Sequence, residues 1–314
     1  MVKQMKCLES IAAYGISGAG KTTQIEELAR VVRHVLGDDK VVRLVSANAD
    51  GWTVIKPAVD AGYIVPTWLP ARPHIIQTMD RFTRGWWPAD PEDPESPMLQ
   101  PSQQKDLARV GGTAFDSGTD FADLIMRYAL SKEAQKGSTF KMAAQDAVRT
   151  YYDGHDKDLT GYASSSMSHY GADQNRMEQF ITQSRNIPNQ YIMWTFLEDR
   201  GKDTVTKVPV YAPDVIGSAL NGKVPSWFGR TVRLSKHPMN DGRVVRRMWL
   251  HNHYQQGDPV PYLANVRDHW KAPLPDYLET NDKQDEVSLY TLYEKLSESH
   301  AKVMALMGKG SKQH

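Results

Sequence analysis

Apolar residues recur along this chain in two rhythms. Ile11-Ala12-Ala13-Tyr14 is a short unbroken apolar run, which predicts a buried strand ending at Gly15. Ile25, Leu28, Ala29, Val32 and Val35 or Leu36 then fall on one face of a helix. Lys40 to Ala47 reads as a second strand, closing in the polar turn Asn48-Ala49-Asp50-Gly51. Between 52 and 87 the apolar pieces are shorter, around Ile64-Val65 and Ile75-Ile76. Trp52, Trp68, Phe82, Trp86 and Trp87 mark that stretch as packed structure. Residues 88–101 are Pro-rich and acidic and predict a mobile surface loop.

Val110 to Ser117 is the next candidate strand, although Gly111, Gly112 and Thr113 stand where aliphatic residues are expected; a helix follows from Phe121 to Leu130. Residues 151–173, rich in Tyr, Ser, Gly, His and Asp, predict a long loop, either functional or disordered. Met177 to Ile187 reads as a helix. Gln190 to Phe196 is the clearest buried strand, with Thr195 near its end and Glu198 in the loop beyond. Thr231 to Leu234 and Val244 to Leu250 flank Asn240-Asp241-Gly242, the signature of a hairpin. From Asp285 to Met307, Leu289, Tyr293, Leu296, His300, Val303 and Met307 recur at helical spacing. That amphipathic helix either docks on the body or self-associates. The whole predicts an α/β domain over 1–275, then the helix and a basic tail over 276–314.

Composition narrows the picture. With 314 residues the chain can bury a large core, and its formal charge of +1 gives no overall basic signature for nucleic acid. Any such contact must come from a local patch. The lone Cys7 excludes a disulfide framework and a cysteine-rich zinc site, and points to a reducing cytoplasm. No run approaches the ~18 apolar residues of a membrane span. The expectation is a cytoplasmic protein with no membrane partner.

The chemistry is concentrated at Gly15-Ile16-Ser17-Gly18-Ala19-Gly20-Lys21-Thr22-Thr23. This fits the pattern G-x-x-x-x-G-K-[ST], and it lies between a strand and a helix as that pattern requires. Glycines let backbone N–H groups turn inward on a phosphate, and the helix N-terminus adds its positive end. Lys21 is expected on the β- and γ-phosphates of ATP, and the Thr22 hydroxyl on Mg²⁺. Such a site needs an acid at the end of a neighbouring strand. Asp116 is the first candidate, with a helix N-cap as its ordinary alternative, and Asp50 is the reserve. Thr195 could sense the γ-phosphate and Glu198 could orient the attacking water.

Arg230, Arg233, Lys236, Arg243, Arg246 and Arg247 face only Asp241 within the hairpin stretch. Alternation places Arg233 beside Arg246 or Arg247, and Trp227, Phe228 and Trp249 could stack bases. The alternatives are a single-stranded DNA contact and a solvated, charged hairpin face with core aromatics.

Tyr14 to Thr23, Ser46 to Gly51, Gly85 to Pro88, Phe115 to Thr119, Ser168 to Gln174, Pro188 to Thr195, Val224 to Phe228 and Val260 to Arg267 together resemble the phage-encoded RecA-like P-loop ATPases. That group includes single-strand annealing and recombination-associated ATPases. The resemblance implies a RecA-like core that binds and hydrolyses ATP with Mg²⁺, with Asp116 in the Walker B role and Thr195 in the sensor position. It also implies Arg267 near the nucleotide or a neighbouring subunit, a homo-oligomer, and work with single-stranded DNA and a single-strand-binding protein. Gly15 to Gln24 resembles thymidylate kinases too, with Asp80-Arg81-Phe82 echoing their Asp-Arg-aromatic motif. A nucleotide-switched assembly module is the third alternative.

Overall fold

The computed structural model describes residues 9–48, 51–69, 75–93, 96–134, 167–187, 191–202, 209–215, 222–253, 262–266, 274–279 and 287–310. Along the chain lie β1 (Ser10–Gly15), α1 (Thr23–Leu36), β2 (Val41–Ser46), α2 (Lys56–Asp60), β3 (Ile64–Trp68) and α3 (Ile75–Thr83). The short β4 (Trp87–Pro88) and β5 (Met98–Leu99) precede β6 (Val110–Asp116), α4 (Gly118–Ala134), α5 (Met167–Arg185), β7 (Tyr191–Lys202) and β8 (Pro209–Pro213). Then come β9 (Arg230–Pro238), β10 (Val244–Trp249), β11 (His251–His253), β12 (Tyr262–Val266), β13 (Tyr277–Glu279) and α6 (Leu289–Gly310).

The fold is α/β. Its central sheet runs β3-β2-β6-β7-β1-β9, with every neighbouring pair parallel. Antiparallel β10 and β13 extend it beyond β9, while the far part of β7 turns to antiparallel pairing with β8. Strand alternation sends successive side chains to opposite faces. Ile11, Ala13, Ala114, Met193 and Leu234 join Ile25, Leu28 and Val32 of α1 in one core. Ala12, Tyr14, Phe115, Trp194 and Phe196 join residues of α3, α4 and α5 in the other. Trp194 is fully buried and stacks on Phe115 at 4.3 Å, a contact worth ~0.5–1.5 kcal/mol beyond area burial.

The glycines of β6 have a packing cause. A Cβ built on Gly111 would lie 2.4 Å from Val32 Cγ1 and 3.0 Å from Leu36 Cδ1. Helix α1 therefore lies directly on this strand, where an aliphatic side chain has no room.

Several expectations change. Helix α5 begins at Met167, so the last part of the stretch expected as a loop over 151–173 is helical; 151–166 lie outside the described residues. Strand β7 runs on to Lys202, which makes Glu198 a strand residue and not a loop acid. The 88–101 stretch is pinned: Trp87–Pro88 pairs with Met98–Leu99, and Ala89 N–H donates to Pro97 O at 2.9 Å. Arg43, buried within β2, holds the following segment by ion-pairing with Asp106 at 2.8 Å.

Helix α6 docks on α1. Leu289, Leu292 and Leu296 are buried in the α1-side core. Gln24 of α1 accepts from Leu289 N–H at 2.8 Å and donates to Val287 O at 3.0 Å. One side chain thus satisfies a free amide at the start of α6. Among the described residues, no helix is long and apolar enough to cross a membrane.

Candidate functional site

The chain leaves β1 at Gly15 and reaches α1 at Thr23 through a loop wrapped around its own amides. Gly18 and Gly20 have φ of +69° and +97°, a left-handed region that other residues rarely enter. Ala19 N–H turns back to Ile16 O at 3.2 Å. Gly20, Lys21 and Thr22 precede the helix, where backbone N–H groups have no partner inside it. Lys21 Nζ donates to Gly15 O and Ile16 O, each at 2.9 Å, so its ammonium spans the loop's opening. Burial pulls Lys21 below the ordinary lysine value, opposed by the carboxylates of Asp116, Glu198 and Asp120, while Lys236 adds to the lowering.

Asp116 ends β6 and stands two strands away from β1, with β7 between them. Thr22 Oγ1 donates to Asp116 Oδ2 at 3.1 Å, and Thr195 Oγ1 donates to Asp116 Oδ1. Both carboxylate oxygens are therefore engaged by hydroxyls from different elements. Burial pushes the Asp116 carboxyl above the ordinary aspartate value, and the Thr195 and Thr22 hydrogen bonds oppose that shift. Asp116 does not cap α4. Ser117 Oγ instead accepts from Asp120 N–H at 3.2 Å and donates to its carboxylate. The Asp116–Ser117 peptide bond is cis.

Glu198 continues β7 past Thr195. Its side chain is only 5% exposed, and Arg233 of β9 holds it at 2.6 and 3.0 Å. Arg233 also lies over the Tyr211 ring at 5.2 Å.

The basic residues of the hairpin do not form one patch. The hairpin itself is present, with Gly242 at φ +83° in its turn. Its register sets Arg233 opposite Trp249, Arg246 opposite Lys236 and Arg247 opposite Ser235, so Arg233 is not beside Arg246 or Arg247. Arg230 opens β9 beside Ile11, far along the strand from the phosphate loop. Arg243 pairs with Asp241 at 2.8 Å at the hairpin tip. Arg247 pairs with Glu279 and covers the Tyr277 ring at 4.6 Å. Trp227, Phe228 and Trp249 are buried, so they are core side chains and not a stacking surface for bases.

Lys236 and Arg246 reach the loop itself. A Cβ built on Gly18 would lie 2.6 Å from Lys236 Nζ, and one on Gly20 would lie 4.0 Å from Arg246 Cδ. Sequence reasoning missed Lys236 at this site. Lys236 lies two residues past Leu234, where β9 runs on beyond the end of β1. Thr22 and Thr195 meet at Asp116, and Glu198, expected to orient the attacking water, is instead paired with Arg233; Arg267 and the reserve Asp50 lie outside the described residues.

Loop and acid suit a phosphate chain with a hard cation. The loop offers amides and an ammonium to phosphate oxygens, and Thr22 with Asp116 offers only oxygen ligands, the set that Mg²⁺ takes. No protein-family model matches the chain, and no curated protein matches it.

Proposed function

We propose that this chain is a Mg²⁺-dependent ATPase with a RecA-like P-loop core. One observation carries the reading: Thr22 and Thr195 meet on the two oxygens of Asp116, beside a loop closed by Lys21. Bound Mg²⁺ would neutralise charge on the phosphate oxygens. Thr22 would hold that metal, and Asp116 would hold it directly or through a water. The Lys21 ammonium would exchange the carbonyls of Gly15 and Ile16 for phosphate oxygens. Thr195 would fix the rotation of Asp116 and, bonded to that carboxylate, report on the terminal phosphate.

The sheet order favours this reading over the nucleotide kinase. A RecA-like core inserts one strand between loop and acid, whereas the kinase type sets those strands side by side. Here β7 lies between β1 and β6. Asp80 and Arg81, the kinase-like pair, lie within α3, where Asp80 binds Arg84 at 2.9 Å. That carboxylate is taken up on a helix, away from any strand end.

Action on single-stranded DNA, assembly as a homo-oligomer and contact with a single-strand-binding protein rest on the family resemblance alone. The hairpin adds nothing to them, because Glu198, Glu279 and Asp241 take up three of its arginines.

ATP hydrolysis by the purified chain tests the reading, measured with Mg²⁺, with chelator, and with thymidine monophosphate or single-stranded DNA added. Mg²⁺-dependent phosphate release, lost in Lys21→Ala, is the expected result. Phosphoryl transfer to the monophosphate would establish the kinase instead. Nucleotide binding without turnover under any condition would favour the switched module.

A further inference from the structure

The hairpin's approach to the loop has a consequence for the triphosphate. We propose that Lys236 contacts the β–γ end of the bound triphosphate, acting in the same chain as a finger residue, with Arg246 beside it. The proposal rests on the nucleotide-binding reading above.

Three observations carry it. First, Leu234 is the β9 partner of Gly15, so Ser235 and Lys236 overhang the point where β1 turns into the loop. Leu234 packs in the core formed with α1, and alternation sends Lys236 to the same face, toward the α1 N-terminus. Second, the Lys236 ammonium occupies the space beside Gly18, where a Cβ would lie 2.6 Å from it. Gly18 lies three residues before Lys21, the residue whose ammonium reaches the β- and γ-phosphates in this loop pattern. The cross-strand partner Arg246 is placed at Gly20 in the same way.

Third, two ammonium groups converge on the loop. Lys21 and Lys236 are close enough to repel each other. Of the nearby carboxylates, Glu198 is paired with Arg233, while Asp116 and Asp120 accept from neutral hydroxyls. Among the described residues, no hydrogen bond or ion pair holds Lys236. Like charges that converge on inward-turned amides are the arrangement a polyphosphate stabilises. A cation at the β–γ end would neutralise charge that grows as the terminal phosphoryl group departs, which is the role of an arginine finger. An ammonium supplies that charge as a point and not as a fork.

The test uses Lys236→Ala and Lys236→Met, the latter keeping the apolar stem should the former not fold, with Lys236→Arg as the conservative rescue. Turnover should fall at least about a hundredfold in the uncharged variants, as for loss of one preorganised donor, and should recover in Lys236→Arg. Equilibrium binding of fluorescent ATP and ADP analogues gives the second readout. The wild-type preference for triphosphate over diphosphate should shrink in the uncharged variants, while binding of the diphosphate changes less. Uncharged variants with wild-type turnover and unchanged preference, in a protein whose Lys21→Ala form is dead, would overturn Lys236 alone. A wild-type protein that binds neither analogue would overturn the nucleotide reading along with it.

Discussion

Glu198 and Arg233 meet across the strand that carries the phosphate loop. Glu198 follows Leu197 on β7, Arg233 precedes Leu234 on β9, and both of those neighbours pair with Gly15 of β1. The guanidinium and carboxylate meet with contacts of 2.6 and 3.0 Å. This planar, two-point pairing locks three parallel strands together where the loop begins. It also gives a basic residue that the sequence offers to DNA an internal task.

Arg233→Ala should therefore destabilise the protein by about 3–5 kcal/mol, because it leaves a buried carboxylate without its partner. Adding Glu198→Gln should restore much of that loss. Urea unfolding of the two single variants and the double variant measures the coupling. An Arg233→Ala protein as stable as wild type would show that the pair carries no weight.

Asp116→Asn should abolish Mg²⁺-dependent turnover yet raise the melting temperature in metal-free buffer at neutral pH. The folded carboxyl titrates above its unfolded value because burial disfavours its charge. Its contribution to stability is thus fully present below the unfolded value and is lost as pH rises through the folded one. At neutral pH the charged carboxylate is a cost, which the amide removes while still accepting a hydrogen bond from a threonine. Scanning calorimetry with and without Mg²⁺ checks both halves. A lower melting temperature for Asp116→Asn without metal would contradict the burial argument.

Asp214 offers a second pH dependence away from the loop. Burial, with the charges of Asp199 and Asp123, raises its carboxyl to about 6. Its stabilising contribution is present below the ordinary carboxylate value near 3.8 and declines as pH rises through about 6. Wild type should lose stability across that interval relative to Asp214→Asn, whose profile should be flatter. Partial exposure of the group keeps the difference small. Melting temperatures taken between pH 4 and 7 decide the matter, and parallel curves for the two proteins would refute it.

Gly111→Ala should cost about 1–3 kcal/mol, the usual range for forcing extra volume into a packed core. The new methyl would meet Val32 and Leu36 of α1. Because α1 starts at the phosphate loop, nucleotide affinity should fall as well. The companion change Val32→Ala makes room and should recover part of both losses, as read by denaturation and by nucleotide titration.

The elements around the loop were legible because their causes are local. An apolar run, a glycine pattern and a helical stripe follow one another within residues 11–36, and the structure has β1, the loop and α1 there. The strand ending at Asp116 and the Asp-Gly hairpin were legible for the same reason. Side-chain partners were not, since pairing between distant strands depends on which strands become neighbours and in what register. Composition counts six cations against Asp241 in the hairpin stretch, yet the sheet brings Glu198 to Arg233 and Glu279 to Arg247. Gly111 and Gly112 looked like poor strand residues until α1 was seen to lie on them. Sequence alone determined that a glycine loop of the phosphate-binding pattern stands between a strand and a helix. Tertiary structure decided what surrounds it, because Thr195, Arg233 and Lys236 reach the site only through the parallel pairing of β7 and β9 with β1.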